Sequence, residues 1–184
     1  MNKRDQITIT TLTEADYEAT YAVFIASITD AFEKEGLGQC HEDIQSEIDQ
    51  KKEKALASLD RANADTYFLI AKINETVAGT ISYGPCGEAI QTCAEHQLDH
   101  LGELGSLYVA PSYQNQGIGS ALIKEMMIFL KEQGIEQFCL DSGYKRAQTR
   151  WLRKFGEPYK VVKDYWGPDS IHMVWLCSVN GFLE

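Results

Sequence analysis

The residues best placed to do chemistry cluster around one short turn. Tyr113–Ser120 reads YQNQGIGS, and an apolar run with helical periodicity follows at once. A Gly-containing entry into a helix offers several unpaired backbone N–H groups at the positive end of the helix dipole. That arrangement suits an anionic group such as a phosphate. Two common phosphate patterns do not fit. The P-loop needs Lys and then Ser or Thr after its last Gly, whereas Ser120-Ala121 follow Gly119. The dinucleotide fingerprint needs a third Gly where Leu122 stands.

The flanking elements can be read from periodicity. Before the turn, Leu104–Val109 is a short apolar strand. After it, Ile118, Leu122, Met126, Phe129 and Leu130 share one helical face, and Gly134 ends the helix. Upstream, Ile7–Leu12 is a strand, and Thr13 is the expected N-cap of a helix that runs to about Lys34, with Gly36 and Gly38 ending it. A polar helix over 41–59 carries the apolar stripe Ile44, Ile48, Ala55 and Leu59. Asp65–Ile73 and Val77–Tyr83 form a hairpin around Asn74-Glu75-Thr76, and Gly84–Gly102 is read as a long polar loop. Downstream come a strand at Gln137–Leu140, a helix at Arg146–Phe155, and two paired strands at Tyr159–Val162 and Ile171–Val179. Hairpins mixed with crossover helices predict one mixed sheet flanked by helices.

Composition sets broad limits. The 184 residues are enough for one cored domain, expected over 1–184. A net charge of −10 disfavours nucleic acid and anionic membrane as partners and favours small or cationic ones. The cysteine number is odd, and the expectation is a reducing, cytoplasmic setting without disulfides. MNKRDQITIT has no apolar stretch of signal length, and no segment reaches the length of a membrane span. Cys86, Cys93, His96 and His100 lack the tight Cys pairs of structural zinc, so no metal is expected.

Gln114-Asn115-Gln116-Gly117-Ile118-Gly119, set between LYVAP and an amphipathic helix, resembles the Q/R-x-x-G-x-G/A signature of the GNAT superfamily of acetyl-CoA-dependent N-acetyltransferases. The resemblance runs from Ile7 to Val179 and is specific between about 103 and 134. It implies an α/β (α+β) fold, with a single mixed, mostly antiparallel sheet of about six to seven strands and about four helices. It implies that the amides of Gln114, Asn115, Gln116, Gly117, Ile118, Gly119 and Ser120 cradle the pyrophosphate of coenzyme A. By the same token the main chain of Leu107, Tyr108 and Val109 holds the pantetheine arm, and the amide of Leu107 or Val109 faces the thioester oxygen.

The implied reaction is direct transfer of acetyl to a primary amine, small-molecule or protein, with Glu103 as general base. The alternative is an acyl-CoA-binding sensor of the same fold without turnover. A homodimer is compatible with either. The general acid is not in its usual place, since Leu152 stands four residues before Gly156 where the family carries Tyr. Tyr144, Tyr159 and Tyr165 are the substitutes. His172 is read as a core histidine, with acceptor recognition or a second base as other roles. Trp151, Trp166 and Trp175 are read mainly as packing residues, or else as the lining of an aromatic acceptor pocket.

Overall fold

The computed structural model describes residues 6–182. Residues 1–5, where no targeting segment was expected, lie outside the described residues. The strands are β1 (Ile7–Thr11), β2 (Tyr67–Ile73), β3 (Thr76–Pro85), β4 (Gly102–Val109), β5 (Gln137–Ser142), β6 (Lys160–Lys163) and β7 (Ile171–Ser178). The helices are α1 (Tyr17–Lys34), α2 (His41–Ala57), α3 (Glu88–Cys93), α4 (Ile118–Glu132) and α5 (Lys145–Phe155). One seven-stranded sheet has the order β1-β2-β3-β4-β5-β7-β6, and among the described residues its only parallel pair is β4 with β5.

Local chemistry explains the boundaries. Asn74 and Glu75 both take positive φ (48° and 67°), the two-residue turn that matches the twist of a hairpin. Leu37 N–H bonds to Phe32 O (2.8 Å) around Gly36 at φ 77°, which closes α1. Thr13 does not cap α1 with its side chain: its hydroxyl donates to Asp16 Oδ2 at 2.9 Å instead.

Alternation along β2 sorts the core into two faces. Leu69, Ala71 and Ile73 pack under α4 with Leu122, Met126 and Met127. Phe68 and Ile70 pack under α1 and α2 with Phe24, Ile28 and Ile48. The connection over 84–102 is a correction to the sequence reading. It folds into α3 and buries Cys86, Ile90, Cys93 and Leu98 against Cys139 and Val174. Its charged residues drew attention to the surface, while its few apolar ones close a third small core.

Two irregularities shape the middle of the sheet. Between β3 and β4 the register jumps from Ser82–Gly105 to Thr80–Tyr108, so Ser106 and Leu107 oppose Ile81 alone. This is a β-bulge. Ser106 sits at φ 49°, and the Thr80 hydroxyl donates to Ser106 O at 2.7 Å to hold it. The extra residue reverses the alternation of β4. Leu104 packs under α4, but so do Leu107 and Val109, while Tyr108 turns to the α1/α2 face. The second irregularity is that β4 pairs with β5 only at Gly102–Phe138 and Glu103–Cys139. From Leu104 to Val109 the two strands separate. Thr80→Val removes the brace on the bulge at constant shape and leaves a buried carbonyl one partner short. We expect a loss of about 1–3 kcal/mol in urea unfolding; an unchanged midpoint would show that the bulge needs no side-chain support.

Candidate active site

The gap between β4 and β5 is the start of a cleft of about 450 Å³. One wall is the main chain of Leu107, Tyr108 and Val109, which lacks a strand partner on this side. Such an edge can accept an extended, amide-bearing ligand in place of the missing strand. Ser27, Asp30 and Lys34 of α1 form the roof, and α5 forms the far wall. The floor at one end is the turn into α4.

The geometry of that turn fits an anion. The first helical bond runs from Ala121 N–H to Gly117 O (3.0 Å), which leaves the N–H groups of Ile118, Gly119 and Ser120 without partners inside the helix. No side chain caps this end. Gly117 is required by its φ of 85°. Gly119 is not required by the protein's own packing, because a Cβ there would meet nothing nearer than Val109 Cγ2 at 3.8 Å. What its missing side chain leaves open is the cleft itself.

Not every predicted residue points into the cleft. Asn115, Gly117, Ile118, Gly119 and Ser120 line it, as does Gln114. The Gln114 side chain, however, is used as a clip: its amide donates to Val109 O (3.1 Å) and Asp30 Oδ2 (3.3 Å) and its oxygen accepts from Lys34 Nζ (3.2 Å). Gln116 lies away from the lining and donates to Ser112 O at 3.1 Å. Glu103 also lies outside the lining, four residues down β4 from Leu107, or about 13 Å of strand.

Glu103 sits on the α2/α3 face and accepts from Gly87 N–H at 2.7 Å. Burial pushes its carboxyl above the usual range and the Asp141 carboxylate adds to this, while Lys54, the Gly87 N–H and Lys51 pull the other way. Asp141 is held by His172 Nε2 at 2.8 Å, and His172 Nδ1 accepts from Trp166 Nε1 at 3.0 Å. The indole can only donate, so His172 carries its proton on Nε2 and donates it to Asp141. His172 is buried, as a core histidine would be, yet it fixes a carboxylate near Glu103.

The three candidate acids now separate. Tyr159 is exposed and bonded to Gln97, and Tyr165 packs against Trp166 and His172. Tyr144 lines the cleft, and its hydroxyl donates to Glu47 Oε2 at 2.5 Å. Tyr108 donates to the other oxygen, Oε1, at 2.8 Å. Burial, and then the charge of Glu47, hold both phenols protonated, with pKa values raised above the ordinary tyrosine range. Of the tryptophans, Trp175 is fully buried in the core, Trp151 lines the cleft and Trp166 is exposed. Cys86 and Cys93 are buried apart from the exposed His96 and His100, and no cluster able to hold a metal occurs among the described residues.

The sequence reading passed over two groups. Glu47 lies on α2 among other acidic residues, and nothing local marks it. The basic residues of α5 had a visible signal: Arg146, Arg150, Arg153 and Lys154 recur at helical spacing in a chain of net charge −10, and all four line the cleft.

Comparison with known proteins agrees with this architecture. No curated protein matches the sequence. Among solved structures, the chain is similar to PaiA N-acetyltransferase from Thermoplasma acidophilum in complex with coenzyme A (TM-score 0.67, 21% identity, 92% of this chain and 98% of that one). It is similar to the ribosomal-protein-S18-alanine N-acetyltransferase from Escherichia coli (0.63, 18%, 95% and 94%). A third likeness is to aminoglycoside 6′-acetyltransferase type Ii (0.65, 13%, 94% and 97%). At these identities the likeness is one of fold. The family model described as "Acetyltransferase (GNAT) family" matches residues 26–156, which include β4, the turn, α4, β5 and α5. That match spans well over half of the sequence, and the chain belongs to the GNAT acetyltransferase family.

Proposed function

We propose that the protein, read as one domain over 1–184, transfers an acetyl group from acetyl-CoA to a primary amine. The observation that carries this is the unpaired stretch of β4 leading to the open helix entry at Gly117–Ser120. An extended arm with an acyl group at one end and a pyrophosphate at the other matches that pair of features. A likeness to a relative crystallised with coenzyme A supports the same ligand. The named relatives differ in acceptor, so the acceptor class, small-molecule or protein amine, is taken from the site alone. The acidic surface and the free thiols support a cationic acceptor in a reducing, cytoplasmic setting, without nucleic acid or membrane as partner.

Acetyl-CoA supplies an activated acyl carbon, at which an N–C bond forms while C–S breaks. The chain's task is to move protons and stabilise charge. An alkyl amine with a pKa of about 10.4 must lose a proton to attack. Glu103 takes that proton through water, because about 13 Å of strand separates it from Leu107. Its raised pKa makes it a stronger base than an ordinary carboxylate. The main-chain N–H of Leu107 or Val109 meets the developing oxyanion. Tyr144 relays a proton from water to the departing thiolate, taking up a second proton as it gives up its own, because burial and Glu47 keep its phenol from remaining ionised.

The overall test is thiol release over a panel of amines. Tight acetyl-CoA binding without acceptor-dependent release would leave a sensor and remove the enzyme. Gly119→Trp fills the cleft from a position whose backbone tolerates a side chain. We expect coenzyme A binding to be lost in calorimetry with the thermal melt largely retained, and unchanged affinity would displace the ligand from the turn. Tyr144→Phe is expected to lower kcat by about 10²-fold with little change in acetyl-CoA affinity; an unaltered kcat would leave water as the acid.

Glu103→Gln carries two readouts. The lower inflection of the kcat/KM pH profile should vanish, leaving only the amine's own titration. Stability should move the opposite way. A carboxyl whose folded pKa is raised stabilises the fold fully below the unfolded value and loses that contribution as pH rises through the folded value. At about pH 8 the variant should therefore melt no lower than the parent. By about pH 3, below the unfolded carboxyl pKa of about 4.3 so that both states are protonated, the parent should have regained its full contribution relative to the variant. A parent-like pH profile would remove Glu103 as base.

A further inference from the structure

The third small core holds two thiols that acyl transfer does not use. Glu103 stands opposite Gly84 of β3 and opposite Cys139 of β5, so these three residues form one row across the sheet. Cys86 follows two residues after Gly84, just beyond the end of β3 at Pro85. The chain there turns towards α3 and brings Cys86 across β4, so that its Sγ lies 2.7 Å from Cys139 Sγ. Leu101 O is 3.4 Å from Cys86 Sγ, and Gly102 O is 3.3 Å from Cys139 Sγ. Ile90, Leu98 and Val174 pack around the pair. Cys93 belongs to the same core, but among the described residues no other cysteine sulfur is in hydrogen-bonding contact with a second one.

The two thiols are not equivalent. Cys86 is 7% exposed and Cys139 is 0% exposed, so a small oxidant arriving from solvent meets Cys86 first. The hydrogen bond from Cys139 holds the Cys86 thiol below its ordinary range, although burial opposes this. The Cys86 partner, and then burial, push the Cys139 thiol up. A thiol poised towards the thiolate is the one that reacts with oxidant, and a second thiol in contact with it can resolve the product.

We propose that Cys86 and Cys139 are a peroxide-reactive pair that closes to a reversible disulfide and staples the α3 segment to β5. The oxidant is hydrogen peroxide. Cys86 Sγ gives up its proton and attacks a peroxide oxygen: S–O forms, O–O breaks, and the leaving hydroxide carries that proton away as water. Cys139 Sγ then attacks the sulfenic acid on Cys86. S–S forms, S–O breaks, and the second hydroxide leaves as water with the Cys139 proton. The two sulfurs together lose two electrons and the peroxide gains them. A sulfur–sulfur bond is about 2.05 Å long, so the pair has less than about 1 Å to close. Under reducing conditions both remain thiols, and a cytosolic disulfide of this kind serves as a transient response to oxidant. The inference stands on the third core and does not depend on the acetyl-CoA reading.

Mass spectrometry of the full chain before and after hydrogen peroxide tests this. Trypsin together with a Glu-specific protease cuts at Glu88 and so separates Cys86 from Cys93. We expect the oxidised chain to lose two hydrogens, to yield a non-reduced peptide joining Cys86 to Cys139, and to revert fully in dithiothreitol. It should also melt about 4–12 °C higher than the reduced chain, because the bond links positions 53 apart and restricts the unfolded state. Cys86→Ser should remove both the linkage and the rise, whereas Cys93→Ser should keep both. Linkage of Cys86 to Cys93 would overturn the pair, as would sulfinic acid at Cys86 with Cys139 still open to alkylation after unfolding. Linkage without a rise in the melting temperature would overturn the staple. The parent's own linkage decides the matter even where a variant fails to fold.

Discussion

The structure turns on a stretch of backbone that lacks a partner within the sheet. Between Leu104 and Val109, β4 pairs with β3 on one side and, among the described residues, with no strand on the other. A strand edge in the middle of a sheet is costly unless water or a ligand satisfies it. The bulge at Ser106 and the short β4–β5 pairing create this edge together. The bulge adds twist and β5 leaves towards α5, where Gln148 ties the departing chain at Ser142 O. The same bulge reverses the side-chain alternation, so Glu103 and Tyr108 emerge on one face of the sheet although their numbers differ by five. One inserted residue thus produces both the opening and the alignment of polar groups beside it.

Charge is divided between the two sides of this opening. On the α1/α2 face are Glu47, Glu103 and Asp141, each held by named donors: two tyrosine hydroxyls, the Gly87 N–H and His172. In the cleft the balance is reversed by α5 and Lys34. A chain of net charge −10 that places Arg146, Arg150 and Arg153 along one cleft will draw anions to that cleft and cations elsewhere. An anion and a cation can then approach from different sides of β4 without competing for the same surface.

Much of this was legible in the sequence, for physical reasons. The α4 stripe and the β2 alternation are periods of 3.6 and 2.0, and such periods report burial directly. Gly117 was legible because a left-handed φ selects glycine. What failed to show was long-range. The α3 segment looked like a polar loop because its inward-facing residues, chiefly Cys86, Ile90, Cys93, Ala94 and Leu98, are scattered among charged ones, and what they pack against lies partly on β5 and β7. Glu47 looked like one more solvated acid, because Tyr108 and Tyr144 are 61 and 97 residues away.

By itself the sequence determined the family, the order of the strands and long helices and the place of the glycine-containing turn into α4. All three are written in local pattern: a motif six residues long, hydrophobic periods and turn residues. Only the tertiary structure decided which tyrosine stands at the cleft, that Gln114 is a clip while Gln116 faces away, and that His172 aims Asp141 through its proton on Nε2. Those outcomes depend on side chains from distant segments meeting in one place. A hydrogen bond between such segments leaves no periodic trace in either of them.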